Sequence, residues 1–160
     1  MSIQLKHENR YNGDTTQKVS DLMSTFVDTV TPSMKVTDAA KIMRQTNVGS
    51  VPVVDSQRLV GILTDRDITI RATADGVNPD EILVEEVMTL NPVTVNPDNS
   101  VEEAAELMQA NQIRRLPVVE GDRLVGILAL GDMAVNMNTE QQAGEVLTEV
   151  SEPTENQFND

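Results

Sequence analysis

The hydrophobic residues of the chain follow two alternating patterns. Short β-branched and aliphatic runs at 51–54 and 59–63 predict two strands, and the polar residues 55–57 between them predict a hairpin turn. Pro52 and its equivalent Pro117 indicate a sheet edge or the start of a strand, because proline cannot donate a hydrogen bond to a neighbouring strand. A further short strand is predicted at 27–30. Apolar residues at helical spacing predict a helix between these strands, carrying Val36, Ala39, Ala40 and Met43.

The whole pattern occurs twice. When the sequence is shifted by 65 residues, residues 19–68 align with 84–133 without a gap, and nineteen of the fifty aligned positions are identical. Repetition at a fixed shift indicates tandem structural units. A unit of about fifty residues is only marginally able to bury a core by itself, so we expect the two copies to pack on each other. The second copy repeats the short strand at 93–95 and the helix, which carries Val101, Ala104, Ala105 and Met108.

The helices of the two copies differ in their local signals. Ser100 and Glu103 form a predicted capping box in the second copy, whereas Lys35 occupies the position of Ser100 in the first. Residues 68–70 of the first copy are β-branched, so a closing helix is ambiguous there. The second copy supports a closing helix with Leu130, Met133, Ala134 and Met137.

These elements predict an α/β chain of the α+β kind, built from two tandem β-α-β-β-α units that pack with pseudo-two-fold symmetry. Such packing of like surfaces creates two equivalent clefts between the units. Residues 71–83 link the copies, with Gly76 and Pro79 as helix breakers. The predicted organisation is a mobile N-terminal tail at 1–17, a first unit with its linker at 18–83, a second unit at 84–137, and a short helix with an acidic tail at 138–160.

The charge and the missing residue types exclude several functions. The chain has 12 Lys and Arg against 26 Asp and Glu, a formal net charge of −14, so nucleic acid and anionic membranes are poor partners. It has no Cys, and His7 is its only histidine, which argues against thiol chemistry, histidine catalysis and clustered zinc ligands. Neither a GxxxxGK nor a GxGxxG motif occurs, and we predict no enzyme. Apolar runs are too short to span a membrane, so we expect a cytoplasmic protein.

A set of motifs occurs in the same order twice: the openings Met-Ser-Thr and Met-Thr-Leu, the Ala-Ala-x-x-Met helices, VPVVD and LPVVE, then RLVGILTDRD and RLVGILALGD. With these motifs the repeated unit resembles the CBS domain, and the chain resembles a tandem CBS pair, also called a Bateman module, of the small stand-alone kind. The resemblance covers residues 19–137 and implies a sensor, not a catalyst, that binds an adenosine-containing ligand such as AMP, ADP or ATP between the copies. It also implies a homodimer.

The family signature Gly-apolar-x-Thr/Ser-x-x-Asp is complete in the first copy, from Gly61 to Asp67. The resemblance assigns Asp67 to the ribose, since one carboxylate can accept hydrogen bonds from both hydroxyls. Thr64 precedes a predicted helix, whose free N–H groups favour a phosphate. By the same resemblance, Arg114 and Arg115 of the second copy bind the phosphates in this cleft, while the adenine is lined by Ile62, Pro92, Val93 and Ile113.

Each of these residues also fits a purely structural role. Thr64 with Asp67 has the spacing of a capping pair for the following helix. Arg114 and Arg115 could be solvated edge residues that pair with some of the many glutamates. The residues alone leave both alternatives open.

The second cleft departs from the signature. Gly126 and Asp132 match it, but Ala129 takes the position of the threonine, so a hydroxyl–phosphate contact is excluded. The dipeptide Gly49-Ser50 replaces the two arginines. We therefore predict a weaker or empty second site at Ile127 and Asp132.

Two functions remain for the chain as a whole. The first is an adenine-nucleotide-binding regulatory module that acts on an unknown partner protein and requires no metal or cofactor. The second is a structural homodimer or scaffold whose clefts bind no ligand. The complete signature with Thr64 and Asp67, together with Arg114 and Arg115, favours the first.

Overall fold

A computed structural model describes residues 17–136 of the chain. The predicted N-terminal tail up to residue 16 and the C-terminal helix and acidic tail lie outside the described residues, as do His7 and Met137. No helix within residues 17–136 has the length and apolar character needed to cross a membrane.

The predicted order of helices and hairpins is present in both copies. The helix that was ambiguous in the first copy is formed, and it continues to Thr73, so the connection between the copies begins later than residue 71. The first copy contains α1 (Val19–Leu22), α2 (Val36–Thr46), β1 (Ser50–Asp55), β2 (Arg58–Thr64), α3 (Asp65–Ile68) and a π-helical turn (Thr69–Thr73). After a 3₁₀ turn (Pro79–Glu81), the second contains α4 (Val84–Val87), α5 (Val101–Asn111), β3 (Arg115–Glu120), β4 (Arg123–Ala129) and α6 (Leu130–Asn136).

The long helices α2 and α5 have the caps that their sequences predict. In α5 the Ser100 hydroxyl accepts a hydrogen bond from Glu103 N–H at 3.1 Å, and the Glu103 carboxylate accepts one from Ser100 N–H at 3.3 Å. Lys35 makes no side-chain capping bond at the start of α2. Both helices have 11 residues and end on a left-handed residue, Asn47 or Gln112. The segments that follow the two helices therefore take equivalent positions.

The four strands form one antiparallel sheet in the order β1-β2-β4-β3. Arg58 of β2 pairs with Arg123 of β4, its equivalent in the other copy, so the pseudo-two-fold axis passes between them. Pro52 and Pro117 lie on the outer strands β1 and β3, as predicted from their missing N–H groups.

The first strand predicted for each copy is shorter than expected. Of 27–30, only Val30 makes a bridge, to Val53 of β1, and Val95 makes the equivalent bridge to Val118 of β3. Val30 N–H donates to the Pro52 carbonyl at 3.0 Å and the Val30 carbonyl accepts from Val54 N–H at 2.9 Å.

The two copies exchange their leading helices, which the sequence did not predict. Val19 of α1 is fully buried in the core of the second copy, and Val84 of α4 is fully buried in the core of the first. Backbone hydrogen bonds accompany the exchange, from Val19 N–H to the Asn99 carbonyl at 2.9 Å and from Val84 N–H to the Met34 carbonyl at 2.8 Å. Each hydrophobic cluster therefore contains residues from both copies.

Each exchanged helix is a single turn with an acidic residue at its third position. The Asp21 carboxylate accepts from Lys18 N–H at 3.0 Å, and the Glu86 carboxylate accepts from Leu83 N–H at 2.7 Å. A helix of one turn is unstable alone, so the exchanged helices depend on their burial in the opposite copy.

Candidate functional site

A cavity of about 780 Å³ opens where the end of β2 faces the residues that precede β3. This volume is within the range of small-ligand sites, roughly 300–1,000 Å³. The residues predicted for the first cleft, apart from Asp67, all line it: Ile62, Thr64, Pro92, Val93, Ile113, Arg114 and Arg115. The structure thus brings together groups that are up to about fifty residues apart in the chain.

The exchange of the leading segments builds the apolar wall of this cavity. Thr89, which follows α4, pairs with Ile62 of β2 through two backbone hydrogen bonds of 2.8 and 2.9 Å. This pairing brings Pro92 and Val93 into the same cavity as Ile62, and Ile113 also lines it. These four residues give the cavity an aliphatic surface.

Asp67 lies next to the cavity without lining it. Its residue is 7% exposed, and the carboxylate Oδ2 accepts from Thr64 N–H at 3.0 Å while the Thr64 hydroxyl accepts from Asp67 N–H at 3.0 Å. This reciprocal pair is the capping box that the sequence left open as an alternative, and it caps α3. Because Thr64 lines the cavity, the carboxylate sits directly behind its wall.

The other carboxylate oxygen of Asp67 joins the two copies. Oδ1 accepts a hydrogen bond from the Thr89 hydroxyl at 3.0 Å and lies 3.5 Å from Arg71 Nη1. Arg71 Nη1 also donates to the carbonyls of Val87 and Met88 at 2.9 and 3.0 Å, at the end of α4. Asp67 is therefore a buried acceptor that first-copy and second-copy groups share.

The lining of the cavity includes three arginines. Arg66, Arg114 and Arg115 line it, and among residues 17–136 the acidic residue that accompanies them in the lining is Asp65. The Arg115 Nε atom is buried and has no hydrogen-bond partner within the described part of the chain. A buried N–H without a partner costs about 1–3 kcal/mol, so this donor favours an anion or another acceptor in the cavity.

The two residues predicted for the second cleft differ in exposure. Ile127 is 5% exposed and exchanges backbone hydrogen bonds with Ser24 of 2.8 and 2.9 Å, while Asp132 is exposed. The Ser24 hydroxyl, equivalent to that of Thr89, donates to the Phe26 carbonyl at 3.2 Å. A ligand site at Ile127 and Asp132 therefore stays a prediction.

Sequence reasoning missed several residues that line the first cavity. Thr89 carries a signal that could have identified it, because both copies have a hydroxyl residue directly after the methionine of the repeated opening, Ser24 or Thr89. Asn91 lacks such a signal, since its equivalent is Phe26. The missed lining residues of greatest interest are Ser50, Asp65, Arg66, Thr89, Asn91 and Gln112.

Comparisons with known proteins identify a family for both copies. A family model described as "CBS domain" matches residues 19–72 and 84–137. The CBS domain-containing protein YhcV of Bacillus subtilis is 49% identical over 133 residues, which are 83% of this chain and 94% of that protein.

Two solved structures add to this likeness. The hexameric CBS-CP12 protein from bloom-forming cyanobacteria matches with a TM-score of 0.67 and 30% identity, over 81% of this chain and 77% of that one. CBSX2 in complex with AMP matches with a TM-score of 0.64 and 30% identity, over 74% of this chain and 93% of that one.

Proposed function

The chain belongs to the CBS domain family, and on that premise we propose that it is a regulatory module whose first cleft binds an adenine nucleotide. The observation that carries the proposal is that aliphatic residues and arginines line one and the same cavity. The bound nucleotide would act on a partner protein by changing how the two copies pack. We include in the proposal a homodimer and a location in the cytoplasm.

The aliphatic wall suits adenine. Ile62, Pro92, Val93 and Ile113 offer apolar surface, and ligand pockets are mostly apolar with a few polar groups that fix orientation. The chain has few aromatic residues, 2% of the total, so aliphatic contacts must take the place of ring stacking.

The arginines suit phosphate. Arginine presents a planar fork of donors that matches phosphate oxygens, and Arg66, Arg114 and Arg115 all line the cavity. The net charge of −14 opposes an anionic ligand at long range. Salt screens that repulsion beyond roughly 8 Å at physiological ionic strength. Phosphate binding therefore depends on the local arginines.

Asp67 is the proposed acceptor for the ribose. It is buried next to the cavity, behind Thr64, and its carboxylate keeps part of its acceptor capacity. The capping role and the ribose role are therefore compatible, since the cap uses one lone pair of Oδ2. A ligand-free scaffold remains the second candidate, because the cap alone explains the burial of this carboxylate.

Replacing Asp67 with alanine is expected to weaken AMP binding at least tenfold, because hydrogen bonds to a charged acceptor contribute about 1.5–3 kcal/mol. Isothermal titration calorimetry with AMP, ADP and ATP measures the effect, and a thermal-shift series without ligand reports any loss of stability from the broken cap. The matched control is Asp132→Ala in the second copy, which should change the affinity little. Equal affinities of the Asp67 and Asp132 variants would contradict the proposed site.

Replacing Arg114 or Arg115 with alanine is expected to weaken AMP binding about fivefold while leaving adenosine binding unchanged, since adenosine has no phosphate for the guanidinium to bind. Arg123→Ala is the matched control: it removes the same charge from an exposed arginine that does not line this cavity. If all three variants lose AMP affinity equally, the effect is one of net charge and the phosphate assignment is wrong.

A further inference from the structure

The proposed ribose acceptor is already occupied in this structure. A carboxylate has about four lone-pair sites, two on each oxygen. Thr64 N–H takes one site of Oδ2, while the Thr89 hydroxyl at 3.0 Å and Arg71 Nη1 at 3.5 Å face Oδ1. One site on Oδ2 remains, but the two neighbouring hydroxyls of a ribose offer two donors.

From this occupancy, and resting on the proposed function, we propose that the Thr89 hydroxyl competes with the ligand's ribose for Asp67. Thr89 thereby sets the affinity of the cleft, and a bound ribose releases the Thr89 hydroxyl from the carboxylate. Thr89 itself lines the cavity, so a ligand reaches this hydrogen bond directly.

The same carboxylate also holds the exchanged helix. Arg71, which faces Oδ1, donates to the carbonyls of Val87 and Met88 at the end of α4. Thr89 follows directly and pairs with Ile62 through its backbone. A ribose that displaces the Thr89 hydroxyl therefore removes one of the bonds that fasten the second copy's leading segment to the first copy. Ligand binding is coupled in this way to the region where the two copies interlock.

The second copy provides an internal comparison. Ser24 occupies the position of Thr89, yet its hydroxyl donates to the Phe26 carbonyl at 3.2 Å. Asn136 takes the position of Arg71, and Ala129 that of Thr64. The Thr89 hydroxyl thus contacts the carboxylate of the first cleft, whereas the equivalent Ser24 hydroxyl bonds a backbone carbonyl two residues away.

Thr89→Val tests the competition, because valine keeps the shape of threonine and removes only the hydroxyl. We expect the variant to bind AMP about fivefold more tightly than the natural chain. It should bind 2′,3′-dideoxy-AMP, which lacks both ribose hydroxyls, with unchanged affinity. Thr94→Val, a hydroxyl deletion in the same segment outside the cavity lining, is the matched control and should alter neither affinity.

The outcomes separate this inference from the function on which it rests. An AMP affinity that is unchanged or lower in the Thr89→Val protein would overturn the competition alone. An equal gain for AMP and for the dideoxy nucleotide would show a change in packing and would also overturn it. If neither protein binds AMP in calorimetry, the proposed function fails and the competition fails with it.

Hydrogen exchange gives an independent readout of the coupling. In the natural chain, AMP is expected to speed the exchange of amides in residues 84–89 several-fold, because the Thr89 hydroxyl no longer holds the segment to Asp67. In the Thr89→Val protein the exchange should already be faster and should not respond to AMP. Slower exchange of this segment on AMP binding in the natural chain would overturn the coupling.

Discussion

Replacing Gly61 with alanine is expected to lower the free energy of unfolding by about 3 kcal/mol, at the upper end of the usual range for overpacking. A β-carbon at this position would lie 2.8 Å from the Thr89 carbonyl oxygen and 3.0 Å from the Met88 sulfur. The Thr89 carbonyl cannot move away freely, because it accepts the hydrogen bond of Ile62 N–H at 2.9 Å. Glycine at this position therefore permits the exchanged segment to lie directly on β2.

Urea unfolding followed by circular dichroism measures this loss of stability. Gly131→Ala is the matched control, since no atom lies within 4 Å of its built β-carbon and the residue belongs to α6. That substitution should be neutral or stabilise by up to about 1 kcal/mol, because alanine is the better helix former. Gly126→Ala should resemble Gly61→Ala, since its β-carbon would lie 2.9 Å from the Ser24 carbonyl oxygen. A Gly61 variant as stable as the natural chain would show that the exchanged segment does not pack closely against β2.

The sequence was sufficient where a local signal determines the structure. Ser100 and Glu103 predicted the start of α5, and the spacing of apolar residues predicted both long helices. Pro52 and Pro117 were compatible with edge strands, because proline has no N–H to donate to a neighbouring strand in any sheet. The repeat predicted the pseudo-two-fold symmetry, because two similar units that cannot bury a core alone must pack on each other.

The exchange of α1 and α4 could not be predicted, because the two copies are too similar at the residues concerned. Val19 and Val84 are equivalent in the alignment, and either valine would fill either core. The choice depends on the path of the chain between α4 and α5, which is a long-range property. Periodicity within a window of residues carries no information about it.

The same limit applies to the candidate site. The aliphatic and cationic lining residues were predicted one by one from the family resemblance. The structure places these residues in one cavity. The surroundings of Asp67 did not follow, because its partner Thr89 arrives on the exchanged segment. The sequence predicted Thr64 and Asp67 as a possible capping pair. It could not show that the cap uses only Oδ2, so that Oδ1 accepts a hydrogen bond from Thr89 of the second copy.

Cutting the chain between Leu83 and Val84, where the repeat begins again, is expected to give two fragments that do not fold separately. Fragment 1–83 loses Val84 and Val87, which are 0% and 3% exposed in the core of the first copy. Burial of a valine contributes about 1.5–3 kcal/mol, so the fragment loses roughly 3–6 kcal/mol. That is comparable to the whole stability of a small domain, about 5–15 kcal/mol.

Circular dichroism during heating should show no cooperative transition for either fragment, whereas an equimolar mixture should recover one as each fragment supplies the other's missing helix. Fragment 1–92 is the informative control, because it keeps α4 and the backbone pairing of Thr89 with Ile62. It should unfold in a cooperative transition on heating, which fragment 1–83 should lack. A fragment 1–83 that melts like the natural chain would mean that the first copy needs no helix from the second. The exchange of helices would then make no contribution to the stability of the fold.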